Sequence, residues 1–265
     1  PKTRYGEIIS YYVPKGFTRV DDLRLELTLD LRLQRAAQTA LSQQIQKLQA
    51  KRGSVIVMDA RDGSILALVD EPSYDPNEFS KFDYELFRNW AVSDLYEPGS
   101  TFKPLNVAIA LELKAIAPNE IFPDPDTIKV GGRIIKNADP EPYKEHSVAG
   151  ILQHSSNVGM VQIAQRIPPA TYYDWLKKLG LGQPLTTDLA AVAPSQIKNK
   201  QQFVTYPIEP AVASFGQGFS LTPIKLVQLH AAIANGGKLV TPHVVRGLFH
   251  ADGKPQWQPT LPAPQ

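Results

Sequence analysis

The chain has 265 residues, of which 43% are hydrophobic and 20% are charged, proportions typical of a globular protein with a substantial core. The formal net charge is only +2 and no basic run is interleaved with aromatic residues, so nucleic acid is excluded as an expected partner. The chain has no cysteine, which excludes disulfides and thiolate catalysis, and no stretch approaches the roughly 18 uninterrupted apolar residues of a membrane span.

The N-terminal part of the chain predicts a connector followed by a strand and a helix. Residues 1–24 are loosely patterned, and we expect them to connect an upstream non-catalytic region to the rest of the chain. Residues 25–29 alternate apolar and polar side chains, as a strand does. Asp30 is a suitable helix N-cap, and apolar residues recur at helical spacing from Leu33 to Leu48. A β-strand should therefore lead directly into a long amphipathic helix.

Turn and capping residues mark further elements. The strand-like runs 55–57 and 65–69 are joined across Asp62-Gly63, a combination typical of a β-hairpin. The other predicted elements are a small hairpin over 130–135, a helix from Pro168-Pro169 to about Gly180, and a helix from Thr222-Pro223 to Ala234. Together these elements predict a sheet with helices on its faces and a separate helical cluster.

The segment from Ser100 to Lys103 (Ser-Thr-Phe-Lys) is the most informative part of the chain. Residues 97–99 predict a turn, and the apolar run that ends at Leu113 predicts a helix that Ser100 would open. On a helix, a spacing of three residues brings the serine and the lysine to one face. Because a serine attacks only after a base removes its proton, the pair is a candidate acylation site. A capped surface helix with a solvated lysine is the alternative interpretation.

A second motif, Ser155-Ser156-Asn157, follows 55 residues after Ser100 and lies between two helix-like segments. Ser155 offers a hydroxyl that can relay a proton, and Asn157 offers an amide that can both donate and accept hydrogen bonds. An ordinary turn between helices is the alternative interpretation. His154 adjoins Ser155, but adjacent side chains point apart on most backbones, so we do not expect His154 to act as a base.

These two motifs, in this order, give the chain a resemblance to the transpeptidase domain of the penicillin-binding proteins, whose motifs are S-x-x-K, S-x-N and K-T-G. The residues around Ser100 (Glu-Pro-Gly-Ser-Thr) are similar to those of the division-associated class B members. Further segments resemble the family in the same order: 53–59, 63–68, 72–77, 215–218 and 234–237. The resemblance implies the α/β (α+β) fold of serine β-lactamases and penicillin-binding transpeptidases over residues 25–265, with an antiparallel sheet, helices on both faces and a helical subdomain.

The resemblance also implies a role for each motif residue. Ser100 would be the nucleophile that D-Ala-D-Ala stem peptides of peptidoglycan acylate, and Lys103 would be its base. Ser155 would relay the proton toward the leaving amine, and Asn157 would hold the substrate amide and orient Lys103. A second stem peptide would then be cross-linked to the first, and β-lactams would acylate the same serine. No cofactor and no metal is implied.

Five more residues are weaker candidates for substrate binding. Gly216, Gln217 and Gly218 would border the cleft if the resemblance holds there, although a plain turn is the alternative. Trp90 and Tyr96 would line the approach to Ser100, although aromatic side chains near a core more often serve packing.

The chain departs from the family at the third motif, because neither K-T-G nor K-S-G occurs in its 265 residues. The family places this motif after the segment equivalent to residues 237–242. We therefore expect a transpeptidase domain that is truncated before its third motif and lacks the C-terminal strands.

The resemblance further implies a location in the bacterial cell envelope, on the extracytoplasmic face of the inner membrane, with an anchor in an upstream segment. A membrane-embedded glycosyltransferase and division proteins would be its partners. Two alternatives stay open. The first is a β-lactamase or a β-lactam sensor of the same fold. The second is a catalytically silent interaction module of the division machinery, which the missing third motif favours and the intact motif residues disfavour.

Overall fold

The computed structural model describes residues 23–139 and 144–264. These residues form two compact units, one containing the strand that ends at Leu27 together with Val245–Thr260, and the other containing Thr28–Val244. All but the last two residues of the predicted connector lie outside the described residues, and the predicted domain boundary stays a prediction. No helix in the described part of the chain has the length and hydrophobicity that a membrane span needs.

The elements are numbered in chain order. The strands are β1 (Arg24–Leu27), β2 (Gly53–Met58), β3 (Ile65–Glu71), β4 (Ile121–Pro123), β5 (Thr127–Val130), β6 (Arg133–Lys136), β7 (Glu145–Ser147), β8 (Gln196–Ile197), β9 (Phe219–Ser220), β10 (Val245–Phe249) and β11 (Pro255–Trp257). The α-helices are α1 (Leu31–Leu48), α2 (Trp90–Ser93), α3 (Lys103–Glu112), α4 (Val148–Gln153), α5 (Asn157–Gln165), α6 (Pro169–Lys178), α7 (Lys200–Thr205), α8 (Ile208–Ala213) and α9 (Pro223–Ala234). Short 3-10 helices span Pro76–Lys81, Tyr84–Phe87 and Gly99–Phe102.

The smaller unit is a three-stranded antiparallel sheet in which β10 lies between β1 and β11. Two strands therefore form after residue 240, but neither contains K-T-G or K-S-G, so the expected absence of the strands that carry the third motif is not contradicted. The turn between β10 and β11 contains Asp252-Gly253, and the amide of Gly253 donates to the carbonyl of His250 at 2.9 Å. An Asp-Gly pair between two extended runs is a hairpin signal, because glycine accepts the positive φ of such turns. The hairpin therefore forms at this turn although strand β11 contains few apolar residues.

The larger unit contains the predicted β2–β3 hairpin, in which the two strands pair antiparallel with Val55 opposite Val69. Helix α1 lies against this hairpin, and the side chain of Gln34 both donates to the carbonyl and accepts from the amide of Leu68. The predicted N-cap is confirmed, since the Asp30 carboxylate accepts from two amides in the first turn of α1. The hairpin and α1 thus form where period-2 and period-3.6 patterns predict them.

The main hydrophobic core lies within the helical part of the larger unit. Its fully buried side chains come from the helices next to the two motifs, from the helices around them and from the turn after α6, and include Phe102, Ile151, Met160, Ile163, Leu176, Leu181 and Leu229. Burial of one such side chain contributes about 1.5–3 kcal/mol. Because α3 packs against both α4 and α5 in this core, the start of α3 comes close to the junction between α4 and α5.

Candidate active site

Ser100 lies in the 3-10 helix Gly99–Phe102, which continues directly into α3. The predicted helix start is corrected in this detail, because Ser100 does not cap an α-helix. The hydroxyl of Thr101 donates to the carbonyl of Pro98 at 2.6 Å, which favours the tighter 3-10 winding at this point. The Ser100 side chain is exposed at the surface, where a substrate can reach it.

The loop containing Gly216 packs directly behind the Ser100 turn. The amide of Gly99 donates to the carbonyl of Gly216 at 2.9 Å, and a Cβ atom added to Gly216 would lie 2.0 Å from the carbonyl oxygen of Gly99. Gly218 is tied to the same turn, since its amide donates to the carboxylate of Glu97 at 2.9 Å. The two glycines therefore support the turn that contains Ser100.

We expect Gly216→Ala to destabilise the protein by about 1–3 kcal/mol more than Gly236→Ala does. Both glycines have φ +81°, so both variants carry the strain of a left-handed alanine, roughly 1–2 kcal/mol. Nothing lies within 4 Å of a Cβ atom on Gly236, so only Gly216→Ala adds the clash with Gly99. Urea unfolding of both variants measures the difference. Equal losses of stability in the two variants would mean that the Gly216 loop moves away from Gly99 at no energetic cost.

Lys103 is the buried cation of the site, with a residue exposure of 1%. Its Nζ donates to Ser155 Oγ at 3.0 Å, to Asn157 Oδ1 at 2.9 Å and to the backbone carbonyl of Ser155. Burial lowers the pKa of Lys103 from 10.5 to about 8, because desolvation penalises the charged form. Near neutral pH, the neutral amine is therefore roughly two orders of magnitude more abundant than in a solvated lysine.

Ser155 lies at the junction of α4 and α5 and connects Lys103 to Ser100. Its hydroxyl donates to Ser100 Oγ at 3.0 Å, so hydrogen bonds run without a break from the amine to the exposed serine. Ser155 has φ 55°, a left-handed conformation that is uncommon for a non-glycine residue. Strained backbone of this kind is concentrated at functional sites, where the surrounding structure maintains it.

Asn157 is the first residue of α5 and faces both Lys103 and strand β6. Its Oδ1 accepts from Lys103, and its Nδ2 donates to the carbonyl of Lys136 at 3.0 Å. All four predicted motif residues therefore meet at one point. That point borders an open cleft of about 470 Å³, lined by Gly99, Ser100, Arg133, Ile134, Ile135, Lys136, Ala138, Asn157, Ile208, Val212, Phe215 and Gln217.

Among the weaker candidates, Gln217 lines this cleft, whereas Gly216 and Gly218 act behind it as described. Trp90 and Tyr96 are not among the described residues that line it. The Trp90 ring lies under the guanidinium of Arg52, at 5.3 Å from its centroid, and Tyr96 forms a backbone bridge with Leu221. The role of Trp90 and Tyr96 in lining the approach to Ser100 therefore stays a prediction.

Strand β6 forms one wall of the cleft, and the sequence carries no signal for a functional role of the β5–β6 hairpin. The Gly131-Gly132 turn predicts the hairpin, but it does not predict which part of the fold the hairpin packs beside. His154, also considered at the sequence level, stacks on His146 with ring centroids 4.9 Å apart. Within residues 23–139 and 144–264, no group of three or more His, Asp or Glu side chains is arranged to hold a metal ion.

Comparison with solved structures identifies the class of fold. Penicillin-binding protein 3 of Mycobacterium tuberculosis, in complex with aztreonam, is similar with a TM-score of 0.82 and 30% sequence identity over 94% of this chain and 56% of that one. The predicted fold class, shared by penicillin-binding transpeptidases and serine β-lactamases, is confirmed.

Sequence comparison gives the family. Residues 53–263 match the family model described as the penicillin-binding protein transpeptidase domain, and the chain belongs to that family. It is 51% identical to the peptidoglycan D,D-transpeptidase FtsI homolog of Chlorokybus atmophyticus, over 93% of this chain and 38% of that protein. It is 33% identical to the peptidoglycan D,D-transpeptidase FtsI of Escherichia coli K12, over 89% and 39% respectively. The chain thus spans about two fifths of the length of these relatives.

Proposed function

We propose that this protein is a serine peptidoglycan D,D-transpeptidase of the division-associated class B type. The observation that carries the proposal is the contact set of Lys103, a buried amine joined through Ser155 to the exposed hydroxyl of Ser100. The names of the relatives support the same activity. A solvated surface lysine, the alternative at the sequence level, is excluded by the 1% exposure of Lys103.

In the acylation step, neutral Lys103 acts as the base for Ser100. Hydroxyl groups can reverse their donor direction by rotation, so the Ser100 proton passes to Ser155 Oγ while the Ser155 proton passes to Lys103 Nζ. Ser100 Oγ then bonds to the carbonyl carbon of the penultimate D-alanine. The peptide C–N bond breaks, and the terminal D-alanine leaves as an amine that takes a proton back through Ser155.

In the second step, the amine of another stem peptide attacks the ester on Ser100. A new peptide bond forms, the Ser100–acyl bond breaks, and the proton of the attacking amine returns to Ser100 by the same path. The backbone N–H of Ser100 is one proposed donor to the oxyanion in both steps, where a single donor typically contributes about 10²–10³ in rate. Asn157 holds the substrate amide, and Gln217 borders the bound peptide.

The proposed partners follow from this reaction. They are peptidoglycan stem peptides, β-lactams that acylate Ser100, a membrane-embedded glycosyltransferase that supplies the glycan strands, and proteins of the division machinery. We place the protein at the extracytoplasmic face of the inner membrane, because its substrate is polymerised there. An upstream segment would supply the anchor.

A fluorescent penicillin tests the function on the protein at its native length. After denaturing electrophoresis and mass spectrometry of the peptides, we expect a stable adduct on Ser100. Rapid loss of the label with release of hydrolysed penicillin would instead identify a β-lactamase. A stable adduct without cross-linking of stem peptides would identify a β-lactam sensor, and no adduct at all would identify a silent interaction module.

A further inference from the structure

The start of helix α5 is capped from outside its own segment. The first amide groups of an α-helix lack intrahelical partners and need acceptors from elsewhere. The amide of Gly159 donates to Ser156 Oγ at 2.8 Å, as in an ordinary N-cap. The amides of Asn157 and Val158 donate instead to Oδ1 of Asn137, at 2.8 and 3.1 Å. Asn137 directly follows strand β6, so the cap joins two separate elements.

Asn137 is itself held by a buried carboxylate. Its Nδ2 donates to Asp124 Oδ1 at 2.9 Å, and the hydroxyl of Ser156 donates to Asp124 Oδ2. Asp124 is 2% exposed and also accepts from the amide of Asp126 at 3.1 Å, while His146 Nε2 lies 3.7 Å from Oδ2. A buried carboxylate is tolerated when hydrogen bonds satisfy it, and a network satisfied in this way is rigid.

This network acts directly on the geometry of the site. Lys136 accepts from the side chain of Asn157, and Asn137 accepts from its backbone, so the end of β6 fixes both parts of Asn157. With Nδ2 tied to Lys136, Oδ1 is left to face Lys103. Ser155, just before the capped turn, holds a left-handed φ that serine rarely adopts without support.

We propose that Asn137, anchored by Asp124, is a positioning residue that aims Ser155 and Asn157 at the amine of Lys103. This inference rests on the proposed transpeptidase function. Asn137 is not one of the described residues that line the cleft, so it acts through the turn that contains Ser155 rather than by touching the substrate. The network sets Ser155 and Asn157 against Lys103, so its loss should slow the chemical step first; because Asn157 also holds the substrate amide in the proposed function, affinity should change to a smaller extent.

Asn137→Ala is the test, with penicillin acylation of the native-length protein resolved into non-covalent affinity and acylation rate constant. We expect the rate constant to fall about 10- to 100-fold, as for a misplacement of about 1 Å, with little change in affinity. Asn235→Ala is the matched control. Asn235 is also half-buried and makes side-chain hydrogen bonds to Ala60 and Lys238, away from the Ser155 turn. It should lower stability without changing the rate constant of the folded protein.

An exchange of the pair separates positioning from a general loss of stability. Asn137→Asp alone places two carboxylates together in a buried site, so this variant should acylate more slowly than the wild type. Adding Asp124→Asn restores one amide facing one carboxylate, and part of the lost acylation rate should return. Failure of the exchange to recover any rate while it recovers stability would overturn the proposal.

The remaining outcomes distinguish this inference from the proposed function. If the wild type is labelled on Ser100 and Asn137→Ala acylates at the same rate, the positioning role is wrong and the function stands. If the wild type is not labelled, the function is wrong, and the crystal structure of Asn137→Ala decides the geometry by itself. Retention of the 2.9 Å contact between Asn157 Oδ1 and Lys103 Nζ in that structure would overturn the inference.

Discussion

Ser100→Ala is expected to abolish covalent penicillin labelling while leaving the fold intact. In the proposed mechanism the variant lacks the oxygen that forms the ester, and the labelled fraction should fall to background at any penicillin concentration. The Ser100 side chain is exposed and its hydroxyl accepts a hydrogen bond from Ser155, so its loss should change the free energy of unfolding by less than about 1 kcal/mol.

The measurement is in-gel fluorescence of the labelled protein, with thermal unfolding to confirm that the variant is folded. Ser42→Ala is a suitable control, because Ser42 lies in helix α1, its hydroxyl donates to Glu71 at the end of strand β3, and neither residue lines the cleft beside Ser100. The control should be labelled like the wild type. Persistent labelling of folded Ser100→Ala would assign the nucleophile to another residue.

Lys103→Arg is expected to slow acylation almost as much as Lys103→Ala, by roughly 10²- to 10⁴-fold. The proposed role is that of a base, and an arginine side chain does not give up its proton in proteins. In the wild type, burial lowers the pKa of Lys103 to about 8, so the acylation rate should rise with pH up to and through about 8 as the amine becomes neutral. The Arg variant should lose this rise.

Lys225→Arg provides a matched control for placing a larger cation in a buried site. Lys225 is also buried, its pKa is likewise lowered to about 8 by burial, and its Nζ donates to Gln228 on helix α9. This variant should lose stability, yet its folded molecules should acylate at the wild-type rate with the same pH profile. A near-normal rate for Lys103→Arg would mean that position 103 supplies positive charge only.

Much of the local structure was predictable because its signals are local. Asp30 caps α1, Thr222 caps α9, and the Asp62-Gly63 turn joins β2 to β3, each within a few residues of the atoms that it satisfies. The two motifs were recognisable for the same reason, since each is a short run of fixed spacing. The β10–β11 hairpin was equally readable from Asp252-Gly253 and was missed.

The sequence by itself determined which residues carry chemical groups suited to acyl transfer, in what order and on which kinds of element. Only the tertiary structure decided that Lys103 is buried, that Ser155 bridges it to Ser100, and that Asn137 caps helix α5 from the end of strand β6. Capping and periodicity act over a few residues, whereas desolvation and cross-element hydrogen bonds depend on which distant segments the core brings together.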